Sequence, residues 1–554
     1  MMDRRTFLKA MGGAAGALVL GSACNPGRPA TVGGRPTVRV KSWGDLGSPS
    51  PFIYVAGPGY WRMSLLFDTL TWPDSTGEQL PWLASSYHRS DDGLVWSVQL
   101  RDVKWADGMP LTSRDVAFTY DYYTSRIFTP LLTGVPRKGI DVRVTGDRSV
   151  EFRLQSPDAT FLQQTLGTMP IAPEHVFSKI ADPQAVFDKR VFMGSGAYRL
   201  ASKDVNADTE SYVARDDYYL GRPYVRRIEM VGVPNDDELA GLRAGVLDGG
   251  ASAAEGVRNE VLAPFRDNPE FGLISAPAGF AFPLFFNMTR GGALADLRFR
   301  QACLHAIDRN DMVGRLLTGN GEAGSPGWLP PSNPYYTSDG VREYPFDRTE
   351  AARLLDEGGY RRLGSGDRVN PDGSPLHFRL HLPDVVPLAL AELVVDSLGA
   401  VGISIDLQRI DLVHVYGLKV APNYDLIIQS YPGPAGIGPN ADPDQLRAVF
   451  HSNPPSQTHK ATGYSNPEVD RLIDAQLATY DIDERKKLVA QIQQIVAQDL
   501  PVAMLYYTDF FYAFRRSVFD QWYYTPGGFS TGLSDVYNKQ PYITGRKVGV
   551  QVRD

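Results

Sequence analysis

Cysteine is nearly missing: Cys24 and Cys303 are the only two in 554 residues. A disulfide framework needs several, and thiolate zinc sites need clustered pairs, so neither organises this chain. Histidine is sparse too, with 8 scattered along the sequence. There is no excess of positive charge. The 56 basic residues stand against 63 acidic ones, a net of -7, which leaves no electrostatic footprint for nucleic acid. No apolar run reaches the roughly 18 residues of a membrane span. Glycine and proline are plentiful, at 54 and 41, and so are aromatics, with 27 Tyr, 25 Phe and 8 Trp. An apolar content of 43% and a charged content of 21% are those of a globular protein. Its length exceeds what one core supports, so two or three domains are expected.

Three short motifs suggest chemistry that their context denies. Gly528-Phe529-Ser530-Thr531-Gly532 matches the nucleophile elbow G-x-S-x-G, but the elbow needs a following helix and a later histidine. The last histidine is His459, and "LSDVYNKQP" is poor helix. Gly319 to Gly324 spells G-x-G-x-x-G, which must leave a strand and open a helix to cradle a dinucleotide. Here a helical pattern precedes it and "SPGWLPP" follows. His377 and His381 are spaced as on a zinc-binding helix, yet "PLHFRLHLP" alternates as a strand with both histidines on a solvated face. On a strand they stand roughly 13 Å apart, too far to share a metal. No catalytic constellation is visible. The expectation is a protein that is not an enzyme and carries no metal or cofactor.

The amino terminus reads as an address. Arg4, Arg5 and Lys9 form a basic head before a short stretch of small apolar residues. Arg4 to Lys9, "RRTFLK", closely resembles the twin-arginine export motif. Leu20-Gly21-Ser22-Ala23-Cys24 looks like a lipoprotein processing site, with Gly21 where a large apolar residue is usual. Residues 1–23 are therefore expected to be removed. Cys24 then becomes a lipid-anchored terminus, or an ordinary signal peptidase releases the chain. Residues 24–35 form a Pro/Gly-rich tether. The protein is expected outside the cytoplasm.

The most specific pattern begins at Leu65, "LLFDTLTWPDSTGEQLPWLASSYHRSDDGLVWSVQLRDVKWADGMPLTSRDVAFTYDYY". Trp96, Val98 and Leu100 alternate as one face of a strand, and Thr112 to Asp115 reads as a helix start with a capping box. Asp347 with Glu350, and Asn466 with Pro467, mark further helix starts. Leu66, Asp68, Leu70, Pro81, Leu83, Ala84, Asp92-Gly93, Arg101, Asp107-Gly108, Pro110-Leu111-Thr112 and Asp115-Val116 stand in register with one family. So do "GSGAYRL" at 194–200 and "LADLRFRQACLHAIDRNDMVGRLLTGNG" at 294–321. Taken together, these closely resemble the extracytoplasmic solute-binding proteins of the dipeptide/oligopeptide type, which serve ABC importers.

The resemblance implies an α/β fold of two lobes around a hinged cleft, with an extra inserted domain. The first lobe is placed at 36–62, 175–277 and 502–554, the inserted domain at 63–174 and the second lobe at 278–501. It implies a monomer that captures a small solute and hands it to a membrane permease. Tyr60 and Trp61, in "GPGYW", and Phe280, Phe282 and Asn287, in "APAGFAFPLFFNMTR", are candidate cleft residues. Trp43 is a weaker one, and Trp522 to Tyr524 belong either to the core or to the cleft.

The key loop is "QSYPGPAGIGPNADPD", Gln429 to Asp444. In peptide-binding members an aromatic opens this loop, an acid follows to hold the peptide's ammonium, and an Asp-Pro-Asp anchor closes it. Tyr431 and Gly433 occupy the ligand-side start, and Asp442-Pro443-Asp444 fits the anchor. Between Pro432 and Ala441 there is no acid. A peptide or peptide-like solute remains the main expectation. An oligosaccharide or glycoside is the alternative that suits a neutral, aromatic-led loop. A non-transport envelope lipoprotein that regulates or binds partners is the alternative of another class.

Overall fold

The computed structural model describes residues 31–32, 35–42, 48–54, 56–125, 139–186, 189–233, 237–252, 256–411, 414, 418, 423–432, 442–453, 462–525 and 538–549. The export segment, Cys24, Trp43 and the G-x-S-x-G match lie outside the described residues.

Three main sheets organise the α/β architecture. The first has five strands, in the order Thr31–Val32, Arg35–Lys41, Arg227–Val231, Thr209–Ala214 and Tyr198–Asp204. Arg35–Lys41 runs parallel to Arg227–Val231, and the Tyr198–Ala214 hairpin continues the sheet antiparallel. Val38, Val40, Tyr212, Ile228 and Met230 fill its core together with Trp522, Tyr542 and Ile543 from the far end of the chain.

The second sheet has four antiparallel strands, Ala84–Arg89, Val95–Leu100, Ser149–Arg153 and Asp141–Gly146 in spatial order. Trp96, Val98 and Leu100 are buried on one face, as their alternation predicts. The helix Ser113–Thr124 packs beside this sheet. Asp115 closes the capping box by accepting the Thr112 backbone N–H at 2.7 Å. Phe52 and Ile53 enter this core from before the sheet, and Val176, Phe177 and Val191 close it.

The third sheet has eight strands, six of them on its main path: Gly249–Ala251, Val502–Arg515, Phe271–Phe286, Leu426–Ile428, His377–Pro383 and Ser404–Ile410. Gly321–Ala323 adds to Val502–Arg515, and Tyr431–Pro432 adds to Phe271–Phe286. His377–Pro383 and Ser404–Ile410 are parallel. Parallel neighbours need a crossover, and the helix Leu388–Ala400 supplies it. His377 is exposed as expected, but His381 is only 5% exposed. Its strand is flanked on both edges by parallel strands. A strand in such a setting is covered on both faces, so alternation misleads there.

Phe271–Phe286 and Val502–Arg515 are the longest strands, of 16 and 14 residues. They pair antiparallel from Phe271↔Arg515 to Phe285↔Val502. At one end Ala276, Phe510, Tyr512 and Phe514 belong to the core of the first sheet. At the other, Phe282, Leu284, Phe286, Ala503 and Leu505 belong to a core built on the helices Leu297–Ala306, Arg348–Glu357 and Leu388–Ala400. Local chemistry sets these helices: Asp296, Asp347 and Asn466 each accept backbone N–H groups as N-caps, and Pro467 opens its helix. No helix among the described residues is long and apolar enough to cross a membrane.

Candidate ligand site at the strand crossing

The two long strands pass from one core to the other at a defect in their ladder. Ala276 pairs with Phe510 and Phe280 with Thr508, so three residues of one strand face Asp509 alone. Such a bulge bends a strand and releases it from regular pairing. Ala278 sits in the bulge at φ 49, a left-handed conformation disfavoured for a residue with a Cβ and often found at functional sites. Its N–H donates to Asp509 Oδ1 at 3.3 Å.

Two rows of four residues run beside the bulge. Tyr431, Ala281, Tyr507 and Glu322 form one; Pro432, Phe280, Thr508 and Gly321 form the next. Beyond the second row come the bulge and Asp509, whose N–H donates to Asn320 O at 3.1 Å. Gly433 lies outside the described residues, as does the loop through Ala441.

Tyr431 is 6% exposed, its ring 5.7 Å from those of both Phe285 and Trp328. Trp328 is fixed in turn, because its Nε1 donates to Gln445 and its carbonyl accepts the Tyr507 hydroxyl at 2.6 Å. Phe280 is partly exposed and packs between the two cores, 6.5 Å from Phe510. The other candidates are enclosed. Phe282 packs on Tyr506 at 5.0 Å. Asn287 donates to Tyr424 O at 2.7 Å and ends the strand. Tyr60 donates to Thr168 O and stacks on Trp72, with interplanar angle 4°. Trp61 packs on Tyr542. Tyr60 and Trp61 lie on the helix Ala56–Leu66 with no exposed surface. Of the described candidates Phe280 alone keeps exposed surface at the crossing; Tyr431, paired with Ala281, is buried on the opposite face of the sheet, and Tyr60 and Trp61 lie in the core of the first sheet.

The anchor acids are committed elsewhere. Arg485 donates to both oxygens of Asp442, at 2.6 and 2.9 Å, and its Nε donates to Gln476. Burial pushes the Asp442 carboxyl up, and Arg485 opposes that shift. Asp444 accepts two bonds from Arg447, at 2.8 and 2.5 Å, and one from Gln164 at 3.2 Å.

Asp509 and Glu322 escaped the sequence reading. Both are partly exposed. Burial raises both carboxyls, and the charge of Asp509 raises Glu322 further. A single acid inside "LYYTDFFYAF" was the one available signal for Asp509, since an aromatic strand seldom carries a charge without a partner.

A family model described as bacterial extracellular solute-binding proteins, family 5, middle, matches residues 78–457. The oligopeptide-binding protein AppA of Bacillus subtilis is 25% identical over 453 residues, covering 80% of this chain and 81% of that protein. Protein XP55 of Streptomyces lividans is 27% identical over 497 residues, covering 86% and 84%. Among solved structures, AppA from Bacillus subtilis in complex with a nonapeptide aligns with TM-score 0.72 at 24% identity, over 91% of this chain and 98% of that one. NikA from Brucella suis in complex with Fe(III)-EDTA aligns with TM-score 0.75 at 22% identity, over 90% and 99%.

Proposed function

Because the chain belongs to the bacterial extracellular solute-binding proteins of family 5, we propose that it captures a peptide or peptide-like solute between two lobes and delivers it to an ABC permease. The family match across residues 78–457 carries this reading. The similarity to AppA, whose structure holds a nonapeptide, supports the choice of solute class. The two lobes correspond to residues 36–62, 175–277 and 502–554 and to residues 278–501, with 63–174 inserted. The bulge at Ala278 and Asp509 serves as the hinge, since the two strands continue into different cores on either side of it. Closure is favoured only by contacts the second lobe adds when shut. Phe280 supplies aromatic surface at the crossing, Tyr431 backs it from the opposite face of the sheet, and a glycine at 433 suits close approach of a solute to the backbone. The chain breaks no bond in its cargo. It acts outside the cytoplasm as a monomer, held to the membrane by a lipid on Cys24.

A second reading has its own observation. The acids of the Asp-Pro-Asp anchor are held by Arg485 and Arg447, and the loop from Pro432 to Ala441 is neutral. Aromatic platforms with neutral hydrogen bonds suit an oligosaccharide or glycoside. Native mass spectrometry of the protein as purified, followed by release and sequencing of its cargo, separates the two. A peptide establishes the first reading. A glycan establishes the second and removes the first.

A further inference from the structure

Residues 63–174 are joined to their two neighbours in different ways. Towards residues 36–62 and 175–277 the join is a continuous core. Phe52, Ile53 and Val191 sit inside the core of the four-stranded sheet, with the Phe52 ring 4.8 and 4.7 Å from those of Tyr122 and Tyr123. Ala106 N donates to Gly194 O, and Gly196 N to Leu66 O. Large apolar joins of this kind hold domains rigid. The inserted domain therefore travels with the first lobe.

Towards residues 278–501 the join is narrow and largely polar. Ala159 N donates to Leu477 O at 2.8 Å, and Gln164 Nε2 donates to Asp444 Oδ2 at 3.2 Å. The rest centres on one side chain. Tyr480 occupies the turn between the helices Pro467–Ala478 and Ile482–Asp499, between the C-cap Thr479 and the N-cap Asp481. Among the described residues, the hydrogen bonds and ring contacts of its side chain all go to the inserted domain. The hydroxyl accepts the Asp158 N–H at 3.2 Å and donates to Gly93 O at 3.2 Å, with Asp158 O 3.1 Å away. The Arg89 guanidinium covers the ring at 3.6 Å, and the Trp96 ring lies 6.5 Å off. Gly93 leaves the space that the ring fills, since a Cβ there would lie 2.5 Å from it. A tyrosine that reaches out of its own lobe into a seat of backbone groups on another is suited to separation. Water replaces those hydrogen bonds once the tyrosine withdraws, so their net strength is modest.

We propose that Tyr480 is a clasp: it seats in the inserted domain when the lobes shut, leaves it when they open, and so favours the shut state without touching the solute. The inference rests on the two-lobed reading above and gives residues 63–174 a part in it. Because these contacts exist only in the shut state, they add to closure as a solute's contacts with the second lobe do. Their strength has to stay small. A clasp that outweighed the solute would hold the empty protein shut and tax every capture.

The test is hydrogen exchange, read by mass spectrometry on the mature protein stripped of cargo. The Ala159 amide is bonded across the contact, so its exchange reports each opening. The amides of the central strand Val95–Leu100 report unfolding of the inserted domain itself. In wild type, the segment holding Asp158 and Ala159 is expected to exchange faster than that strand. Tyr480→Ala should speed the segment roughly tenfold or more, as a hydrogen bond and a cation–π contact are lost, and leave the strand unchanged. Tyr480→Phe, which keeps the ring under Arg89, should fall between. Equal exchange of the segment in wild type and Tyr480→Ala overturns the clasp. So does a strand that speeds up in parallel, which makes Tyr480 a structural residue. A segment no faster than the strand in wild type overturns it as well, since the contact then opens only by unfolding. A mixed pool of tetrapeptides to octapeptides is then added. Slower exchange of the segment in wild type supports both the clasp and the peptide reading. If the pool changes nothing while Tyr480→Ala still speeds the segment alone, the peptide reading falls and the clasp stands.

Discussion

Asp68 and Lys539 face each other at 2.6 Å, carboxylate to ammonium, with neither side chain exposed to solvent. The Trp82 indole and the Tyr218 and Tyr219 hydroxyls also donate to Asp68. Lys539 donates to Ser64 O and lies 4.3 Å from the centre of the Trp72 ring. The aspartate that marks the family pattern near the start of the chain is thus neutralised from its end. Removing one member of a buried pair strands the other, at about 3–5 kcal/mol. Lys539→Met should lower stability by that amount in urea unfolding. A midpoint equal to wild type would show that Asp68 finds relief elsewhere.

Asp442 and Arg485 form a second buried pair, with side chains 3% and 5% exposed. Asp442→Asn and Arg485→Met should each destabilise the protein. The double variant should cost less than their sum by about 1–3 kcal/mol, the coupling of directly bonded groups. Additive losses in a double-mutant cycle would refute the bidentate pair.

Gly93 stands at φ 72, and a Cβ there would lie 2.5 Å from the Tyr480 ring. The Tyr480 hydroxyl donates to Gly93 O and accepts the Asp158 N–H, and Arg89 covers its ring at 3.6 Å. Gly93→Ala should cost about 1 kcal/mol or more from backbone strain, with the clash added. In a Tyr480→Ala background the clash is gone and the cost should shrink to the strain. Equal costs in both backgrounds, read from thermal unfolding, would remove the contact from the explanation.

Asp509 gives a pH dependence with a definite sign. Burial raises its folded carboxyl above the usual aspartate value, and the one hydrogen bond from Ala278 only partly offsets this. The folded state therefore holds the proton more tightly than the unfolded one. By linkage, this group favours folding at low pH, and that contribution is lost as pH rises from the unfolded value through the raised folded one. The stability of wild type minus that of Asp509→Asn should fall as pH climbs through this window and level off above it. A rising difference in paired urea titrations would reverse the assignment of its environment.

Asn466 caps the helix Pro467–Ala478, accepting from Glu468 N and Val469 N. Its amide also donates to Asp499 at 2.8 Å. Asn466→Ala should cost about 1–2 kcal/mol. Asn466→Asp would retain the cap but set a carboxylate against Asp499, so it should recover little of the loss.

What the sequence revealed was what neighbours in the chain decide. Thr112 with Asp115, Asp347 and Asn466 mark helix starts because capping acts within three or four residues. Trp96, Val98 and Leu100 mark a strand because one of its faces is wet. The family pattern was legible for the same reason, being made largely of caps, turns and core positions. What escaped is decided by residues hundreds of positions apart. Tyr60 and Trp61 look like a cleft pair until Trp72, Thr168 and Tyr542 enclose them. His381 looks wet until two strands flank it. Asp509 is one letter in an aromatic run until the ladder shows it opposite a bulge.

The first core has a consequence for biosynthesis. Val38, Tyr60 and Trp61 pack with Trp522, Tyr542 and Ile543, and Asp68 waits for Lys539. A ribosome must release nearly the entire polypeptide before the amino-terminal sheet can close its interior. Until then that sheet lacks its apolar cover and its counter-ion. Nascent chains stalled before Trp522 would present this unfinished surface to chaperones and proteases, however complete their own first half.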